Sequence, residues 1–234
     1  MSALTKEVRL NAPSEATAAL YFLPGQYLFK HVEQGRETTK ALSTAQVSLA
    51  FREYSADTGW LRRRILRYRE EPAGNCVLSC EPAGIRRIRV ETDTSELHEI
   101  DVPLPALVLL GKAKEYYLWA TASKDISEKS LLAAAPLPNI GGNLGGKICF
   151  GGNEVPECRP ENLDAVWNLI FDTPFNNHQR EGKCKSFAQD VRTLLLKLAA
   201  EKVSRFPKDE LVKSDVSIAR IWEHITENKP LRGF

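Results

Sequence analysis

The sequence lacks several features that mark specialised classes of protein. It has no run of about 18 apolar residues, and its first residues, MSALTKEVRLNAPSE, lack the apolar centre of a signal peptide. An excess of one charge is also missing, since 32 Lys and Arg residues balance 30 Asp and Glu residues and leave a net charge of +2. These absences predict a cytoplasmic protein that binds neither a membrane nor a nucleic acid.

Cysteine is scarce, and the five cysteines do not form a metal-binding pattern. Cys76 and Cys80 have the separation of half a zinc site, but no second close pair of Cys or His residues completes it. Cys158 and Cys184 lie farther apart, with His178 between them. The spacings therefore predict no bound metal, and in a reducing compartment each thiol is either a buried small side chain or a reactive group.

Strand-like segments dominate the first half of the chain. Two apolar runs around Pro24-Gly25 predict a hairpin over residues 18–34, and Ser43 suits the N-cap of a helix over 43–55. Between residues 61 and 121, six short segments separated by Gly and Pro breaks predict an antiparallel meander.

Helical spacing dominates the second half. Apolar residues recur at helical spacing over 161–172 and 186–206, and a last helix is expected over 215–227. Strands followed by helices predict an α+β fold, with helices packed on one side of an antiparallel sheet. The expected organisation is an N-terminal extension, residues 1–42 with the hairpin, followed by a domain over 43–234.

A glycine-rich segment separates the strands from the helices. It contains six glycines within a dozen positions: Gly141, Gly142, Gly145, Gly146, Gly151 and Gly152. A nucleotide-binding loop needs Ser or Thr after its lysine, but Ile148 follows Lys147, so no nucleotide cofactor is expected. Cys149 lies among these glycines and has two interpretations. It is either a nucleophile that Lys147 helps to ionise, or a small side chain packed between Ile148 and Phe150.

The context of Cys149 resembles a known active site. The Pro138-Asn139-Ile140 triplet precedes Ile148-Cys149-Phe150 by a short glycine-containing loop. This order resembles the His-Pro-Asn segment and the Ile/Val-Cys-Leu triplet of ubiquitin-conjugating enzymes. Over about residues 20–200, the runs VPLPALVLLG, YYLWA, APLPNI, GKICFG and PFNNH resemble PRTRC system protein B, a group placed with prokaryotic ubiquitin-conjugating-enzyme-like family D.

The resemblance implies a ubiquitin-conjugating-like fold and a transferase that carries a ubiquitin-like modifier as a thioester on Cys149 and passes it to an amine. It implies a ThiF-like adenylating enzyme, a small ubiquitin-like protein and a JAB-type isopeptidase as partners. Asn139 would stabilise the oxyanion, and Asp164 or Asp172 would orient or deprotonate the amine. Each of these residues also has a structural interpretation, Asn139 as a turn residue and the aspartates as exposed helix residues.

The sequence departs from that pattern at Leu137, which stands where ubiquitin-conjugating enzymes have histidine. The departure leaves open a binding module of the same fold without catalysis. His178 offers another alternative, since a histidine that reached Cys149 as a base would make a thiol hydrolase. Otherwise His178 is a solvent-facing loop residue.

Overall fold

The computed structural model describes residues 17–33, 35–47, 64–70, 74–142 and 145–231. The chain divides into two compact units, residues 1–59 and residues 60–234. Among the described residues, no helix is long and apolar enough to cross a membrane.

Within residues 17–42, the first unit forms a three-stranded antiparallel sheet in the order β1-β2-β3. Its strands are β1 (Ala18–Leu23), β2 (Gln26–Glu33) and β3 (Arg36–Leu42). Pro24 and Gly25 join the first two strands, and Gly25 has a φ of 80°, a value that glycine adopts without strain. The sequence does not predict the third strand, because RETTKAL lacks an apolar pattern; in the structure this strand is almost fully exposed.

A short helical stretch follows at residues 44–47 and begins where Ser43 predicts. The Gln46 N–H donates to Ser43 Oγ at 3.2 Å, and the Ser43 N–H donates to Gln46 Oε1 at 2.9 Å. This reciprocal pair is a capping box and satisfies two main-chain donors that a helix start leaves free. The rest of the helix expected over 43–55 lies outside the described residues.

The second unit is α+β and is built on an antiparallel sheet. Its described part holds the strand order β11-β10-β9-β8-β5-β4 and a separate two-stranded ribbon, β6-β7. The strands are β4 (Ile65–Arg69), β5 (Cys76–Glu81), β6 (Gly84–Glu91), β7 (Leu97–Leu104), β8 (Ala106–Lys112), β9 (Glu115–Thr121), β10 (Leu131–Ala134) and β11 (Lys213–Ser217).

The six expected strands are therefore β4 to β9, but they do not form one continuous meander. β5 pairs directly with β8, and the β6-β7 ribbon leaves the sheet between them. Pro82 and Pro105 stand at the two crossing points between sheet and ribbon. Since proline has no N–H to donate, it ends strand pairing at such positions.

Three α-helices complete the described part of this unit: α1 (Leu163–Asp172), α2 (Val191–Ala200) and α3 (Ile218–Glu227). Two short 3-10 helices lie at Pro160–Asn162 and Lys208–Glu210. α2 is shorter than the periodicity over 186–206 predicts. Asp190 is its N-cap, with its side chain accepting from the Arg192 N–H at 2.9 Å. α3 begins at residue 218, because the preceding segment forms β11 against β10.

The main sheet is buried on both faces. On one face, Val77, Leu109 and Leu118 pack in a core with residues of α1, α2 and the ribbon. On the other face, Leu78, Val108, Leu110 and Trp119 pack with Ile221 and Trp222 of α3. Successive side chains of a strand point to opposite faces, so the unbroken apolar run of β8 is what a doubly covered strand requires. The expectation that the helices pack on one side is therefore wrong for α3.

Candidate active site

Residues 139–141 and 146–149 form two short paired arms, and the second, the cysteine arm, carries Cys149. The Gly141 N–H donates to the Lys147 carbonyl oxygen at 2.7 Å, and the Cys149 N–H donates to the Asn139 carbonyl oxygen at 2.8 Å. Ile140 and Ile148 face each other between these two bonds. Cys149 therefore stands directly opposite Asn139, at the open end of the pair.

The arm that carries Cys149 is also bound to the edge of β9. The Ile148 N–H donates to the Tyr116 carbonyl oxygen, and the Leu118 N–H donates to the Gly146 carbonyl oxygen, both at 2.8 Å. β10 pairs with β9 at Trp119 and Ala120, so the cysteine arm extends the sheet beside the first half of the same strand. A rigid sheet edge thus fixes the main chain immediately before Cys149.

Gly146 allows this close approach. Its φ is 62°, and a Cβ added to it would lie 2.4 Å from Cε2 of Trp119, which is fully buried. No side chain larger than hydrogen fits between the arm and the indole without movement.

Asn139 connects the cysteine arm to the loop after α1. Its φ is 61°, in the left-handed region that asparagine tolerates better than most residues. Its N–H donates to the His178 carbonyl oxygen at 2.8 Å, and its Nδ2 donates to the Pro174 carbonyl oxygen at 3.1 Å. Asn139 is buried and is fixed by these two bonds, while its carbonyl oxygen accepts from the Cys149 N–H.

His178 is exposed, and its segment is separated from Cys149 by the arm that contains Asn139. Its N–H donates to the Asn176 side-chain oxygen at 2.9 Å, which closes a tight turn. The structure thus places the main chain of Asn139 between those of Cys149 and His178 and joins it to each by one hydrogen bond. The oxyanion role of Asn139 and the base role of His178 stay predictions.

The accessibility of the cysteines separates Cys149 from the rest. All five lie among the described residues: Cys149 is exposed, Cys80 is half-buried, and Cys76, Cys158 and Cys184 are buried. Burial raises the pKa of Cys158 to about 12 and raises the pKa values of Cys80 and Cys184 above the usual range of a thiol. Only Cys149 combines exposure with a defined main-chain setting, so it is the thiol that a large acyl group can reach.

Lys147 is paired with a carboxylate. Its Nζ lies 2.5 Å from Glu115 Oε1, and this hydrogen bond lowers the pKa of Glu115. The pairing offsets part of the positive charge that the sequence suggested as a means of ionising Cys149. Both side chains are exposed, so the pair itself contributes little stability.

Sequence reasoning missed Lys183, a buried lysine beneath the site. Its side chain is 1% exposed, and Nζ donates to the carbonyl oxygens of Ile140 at 2.5 Å and Gly141 at 3.0 Å. Burial lowers the pKa of Lys183 to about 8. It lies in an irregular loop without periodicity, so no sequence signal marks it as buried.

The two candidate acids lie on α1 and are both exposed. Asp172 is next to Thr173, whose Oγ1 lies 3.5 Å from Nδ2 of Asn153, and Asn153 also donates to the Phe150 carbonyl oxygen. The C-terminal end of α1 therefore adjoins the segment that follows Cys149. Asp164 is eight residues earlier, about 12 Å along the helix. The structure favours Asp172 over Asp164 as a neighbour of the cysteine.

Comparison with known protein families identifies the chain. A family model described as prokaryotic E2 family D matches residues 38–214. The chain belongs to this family. The match spans Cys149, Asn139, His178 and Lys183, and it confirms the resemblance to prokaryotic E2-like proteins. Searches of the curated proteins and of the solved structures gave no match.

The residue that the resemblance aligns with the histidine of ubiquitin-conjugating enzymes is a core residue in this family D chain. Leu137 is fully buried and packs in the core cluster shared with α1 and α2. A histidine there would place polar nitrogen atoms in an apolar setting, whereas leucine adds apolar contact beneath the Asn139 turn. The turn is held instead by the bonds from Asn139 to Pro174 and His178.

A separate groove of about 1210 Å³ lies near the opposite end of β9 from the cysteine arm. Its lining includes Pro82, Pro103 and Phe206, with Lys124 and Arg205 among its charged residues. Cys149, Asn139 and His178 are not part of this lining. The cysteine site is therefore a surface on a fixed loop and not part of this groove.

The accessibility difference predicts selective alkylation. With iodoacetamide at neutral pH, the native protein should gain one adduct, on Cys149, because Cys76, Cys158 and Cys184 are buried and burial raises the pKa of the half-buried Cys80. Intact-protein mass spectrometry followed by peptide mapping measures the site and the rate. A second adduct forming equally fast on the native protein would contradict this assignment, and unfolded protein, in which all five thiols react, is the control.

The contact between Gly146 and Trp119 predicts an asymmetric effect of alanine substitutions. Gly146→Ala should lower the free energy of unfolding by about 2–4 kcal/mol, since it combines left-handed strain with a clash against a buried indole. Gly151→Ala is the matched control, because Gly151 has a φ of 60° but nothing within 4 Å of an added Cβ. It should cost about 1 kcal/mol. Urea denaturation measures both variants, and equal losses would refute the steric argument.

The lowered pKa of Lys183 predicts a pH-dependent stability difference. Between about pH 8, near the pKa of Lys183 in the folded chain, and 10.5, the ordinary pKa of a lysine, the unfolded chain binds a proton at Lys183 that the folded chain has lost. The unfolding free energy of wild type relative to Lys183→Met should therefore rise by on the order of 3 kcal/mol across this window. Urea denaturation at several pH values measures it, with the exposed Lys208→Met as control. A difference that stays constant with pH would contradict the prediction.

Proposed function

We propose that this chain carries a ubiquitin-like modifier as a thioester on Cys149 and transfers it to an amine. The observation that carries the proposal is an exposed thiol on a main chain fixed by β9 and Asn139, in a chain of prokaryotic E2 family D. The α+β architecture with an antiparallel sheet is compatible with a ubiquitin-conjugating-like fold.

In the first step, the Cys149 thiolate attacks the carbonyl carbon of a modifier held as a thioester on an adenylating enzyme. A new C–S bond forms, the old C–S bond breaks, and the partner's thiolate leaves, so the step consumes no redox equivalent. The exposed position of Cys149 leaves room for two large proteins to approach the same sulfur. The proposed partners are a ThiF-like adenylating enzyme and a small ubiquitin-like protein, with a JAB-type isopeptidase acting on the product, as in a PRTRC system.

In the second step, a neutral amine attacks the thioester carbon, a C–N bond forms, and the bond to Cys149 breaks. The amine loses one proton, and Asp172 is the proposed acceptor because its end of α1 adjoins the segment after Cys149. The tetrahedral intermediate carries an oxyanion. Asn139 Nδ2 donates one hydrogen to Pro174, and its second N–H is the proposed oxyanion donor.

The alternative of a thiol hydrolase has one supporting observation. Two successive main-chain hydrogen bonds, from Cys149 to Asn139 and from Asn139 to His178, connect the cysteine to the segment that carries an exposed histidine. A hydrolase would cleave an isopeptide-linked modifier without ATP and would lose this activity in His178→Ala. A transferase needs ATP and the adenylating enzyme, and it retains thioester formation in His178→Ala.

A thioester assay tests the proposed function. With adenylating enzyme, modifier and ATP, the wild-type chain should gain one modifier mass that reductant removes. Cys149→Ser should form an adduct that reductant does not remove, because a serine hydroxyl forms an oxyester. Cys80→Ser is the matched control, since Cys80 is half-buried and outside the site, and it should behave as wild type. A reductant-sensitive adduct that persists in Cys149→Ser would exclude Cys149 as the carrier.

A further inference from the structure

A buried lysine lies beneath the site, and none of the steps proposed above uses it. Lys183 is 1% exposed, and burial is the cause of its lowered pKa, with no charged neighbour contributing among the described residues. A buried ammonium without a carboxylate partner is costly, and proteins tolerate it where polar groups compensate. Here the compensating groups are two main-chain carbonyl oxygens.

Both carbonyl oxygens belong to the arm that pairs with the cysteine arm, residues 139–141. Nζ of Lys183 lies 2.5 Å from the Ile140 oxygen and 3.0 Å from the Gly141 oxygen. The Asn139 carbonyl, one peptide group before the first of these oxygens, accepts from the Cys149 N–H, and the Gly141 N–H, between the two oxygens, donates to the Lys147 carbonyl. A shift of Ile140 and Gly141 would therefore move both hydrogen-bonding partners of the cysteine arm.

The composition of the segment explains why it needs an external anchor. Among the described residues between the arms are Gly142 and Gly145, and Gly146 begins the cysteine arm; these glycines have no side chains to pack against the rest of the protein. Glycine loses more conformational freedom on ordering than any other residue. Charge-assisted hydrogen bonds are stronger than neutral ones, so one buried ammonium restrains two consecutive peptide groups.

We propose that Lys183 is a positioning residue for Cys149. It binds the carbonyl oxygens of Ile140 and Gly141 and so fixes the arm to which the cysteine arm is hydrogen-bonded. The inference rests on the proposed function, since thioester chemistry is the reaction that the positioning would serve. Lys183 itself is buried and does not touch the modifier.

Amide hydrogen exchange tests the positioning without any partner protein. In Lys183→Met the side chain keeps a similar length but donates nothing, so the Gly141 and Cys149 amides should exchange at least tenfold faster. The amides of Val77 and Leu109, in the core strands β5 and β8, should exchange as in wild type. Lys208→Met is the matched control, because Lys208 Nζ also donates to a main-chain oxygen, that of Ala122 at 2.7 Å, but is exposed. It should leave the Gly141 and Cys149 amides unchanged.

Two results would overturn the proposal: unchanged exchange at Gly141 and Cys149, or acceleration that is equal in β5 and β8 and so reports global destabilisation. Lys183→Gln provides a second variant that retains a neutral donor, and its acceleration should lie between those of wild type and Lys183→Met. If Lys183→Met does not fold, the same comparison of amides in Lys183→Gln decides the question.

Thioester formation provides the functional readout. With saturating partners, Lys183→Met should load the same fraction of chains as wild type but at least fivefold more slowly. A reduced loaded fraction with an unchanged rate would indicate a structural role only and would overturn the proposal. If wild type forms no thioester, the proposed function fails, and the exchange measurement alone decides whether Lys183 fixes the arm.

Discussion

The candidate site depends on a set of hydrogen bonds that hold a glycine-rich pair of arms between a sheet edge and a loop. On one side, β9 binds the cysteine arm through Tyr116 and Leu118. On the other side, the loop after α1 binds the arm 139–141 through Pro174, His178 and Lys183. Cys149 is exposed, yet the chain beneath it is fixed from both sides. This combination suits a nucleophile that must meet large partners at a defined position.

The energetic cost of the arrangement is concentrated in a few residues. Asn139 adopts a left-handed conformation, Gly146 loses the conformational freedom of a glycine, and Lys183 holds an ammonium in the interior. Such features persist where the surrounding structure over-determines them. Here the two-faced core of the second unit does so, because the strand that binds the arm is itself packed on both faces.

Much of the fold follows from local sequence pattern. The Gly and Pro breaks define β4 to β9 correctly, and Ser43 marks a helix start. Apolar patterning does not predict β3 and β11, which carry few apolar residues. β3 is exposed, and β11 is an edge strand. The periodicity predicts a longer α2 because apolar spacing begins at residue 187, whereas the Asp190 side chain caps the helix three residues later.

The sequence by itself determined the α+β class, the family resemblance and Cys149 as the cysteine to consider, because each depends on residues close together in the chain. Tertiary structure alone decided which faces the helices cover, that Asn139 joins Cys149 to His178, and that Lys183 lies beneath them. Lys183 and Ile140 are 43 positions apart. Local periodicity carries no information about such a contact, since only folding brings a buried ammonium to those carbonyl oxygens.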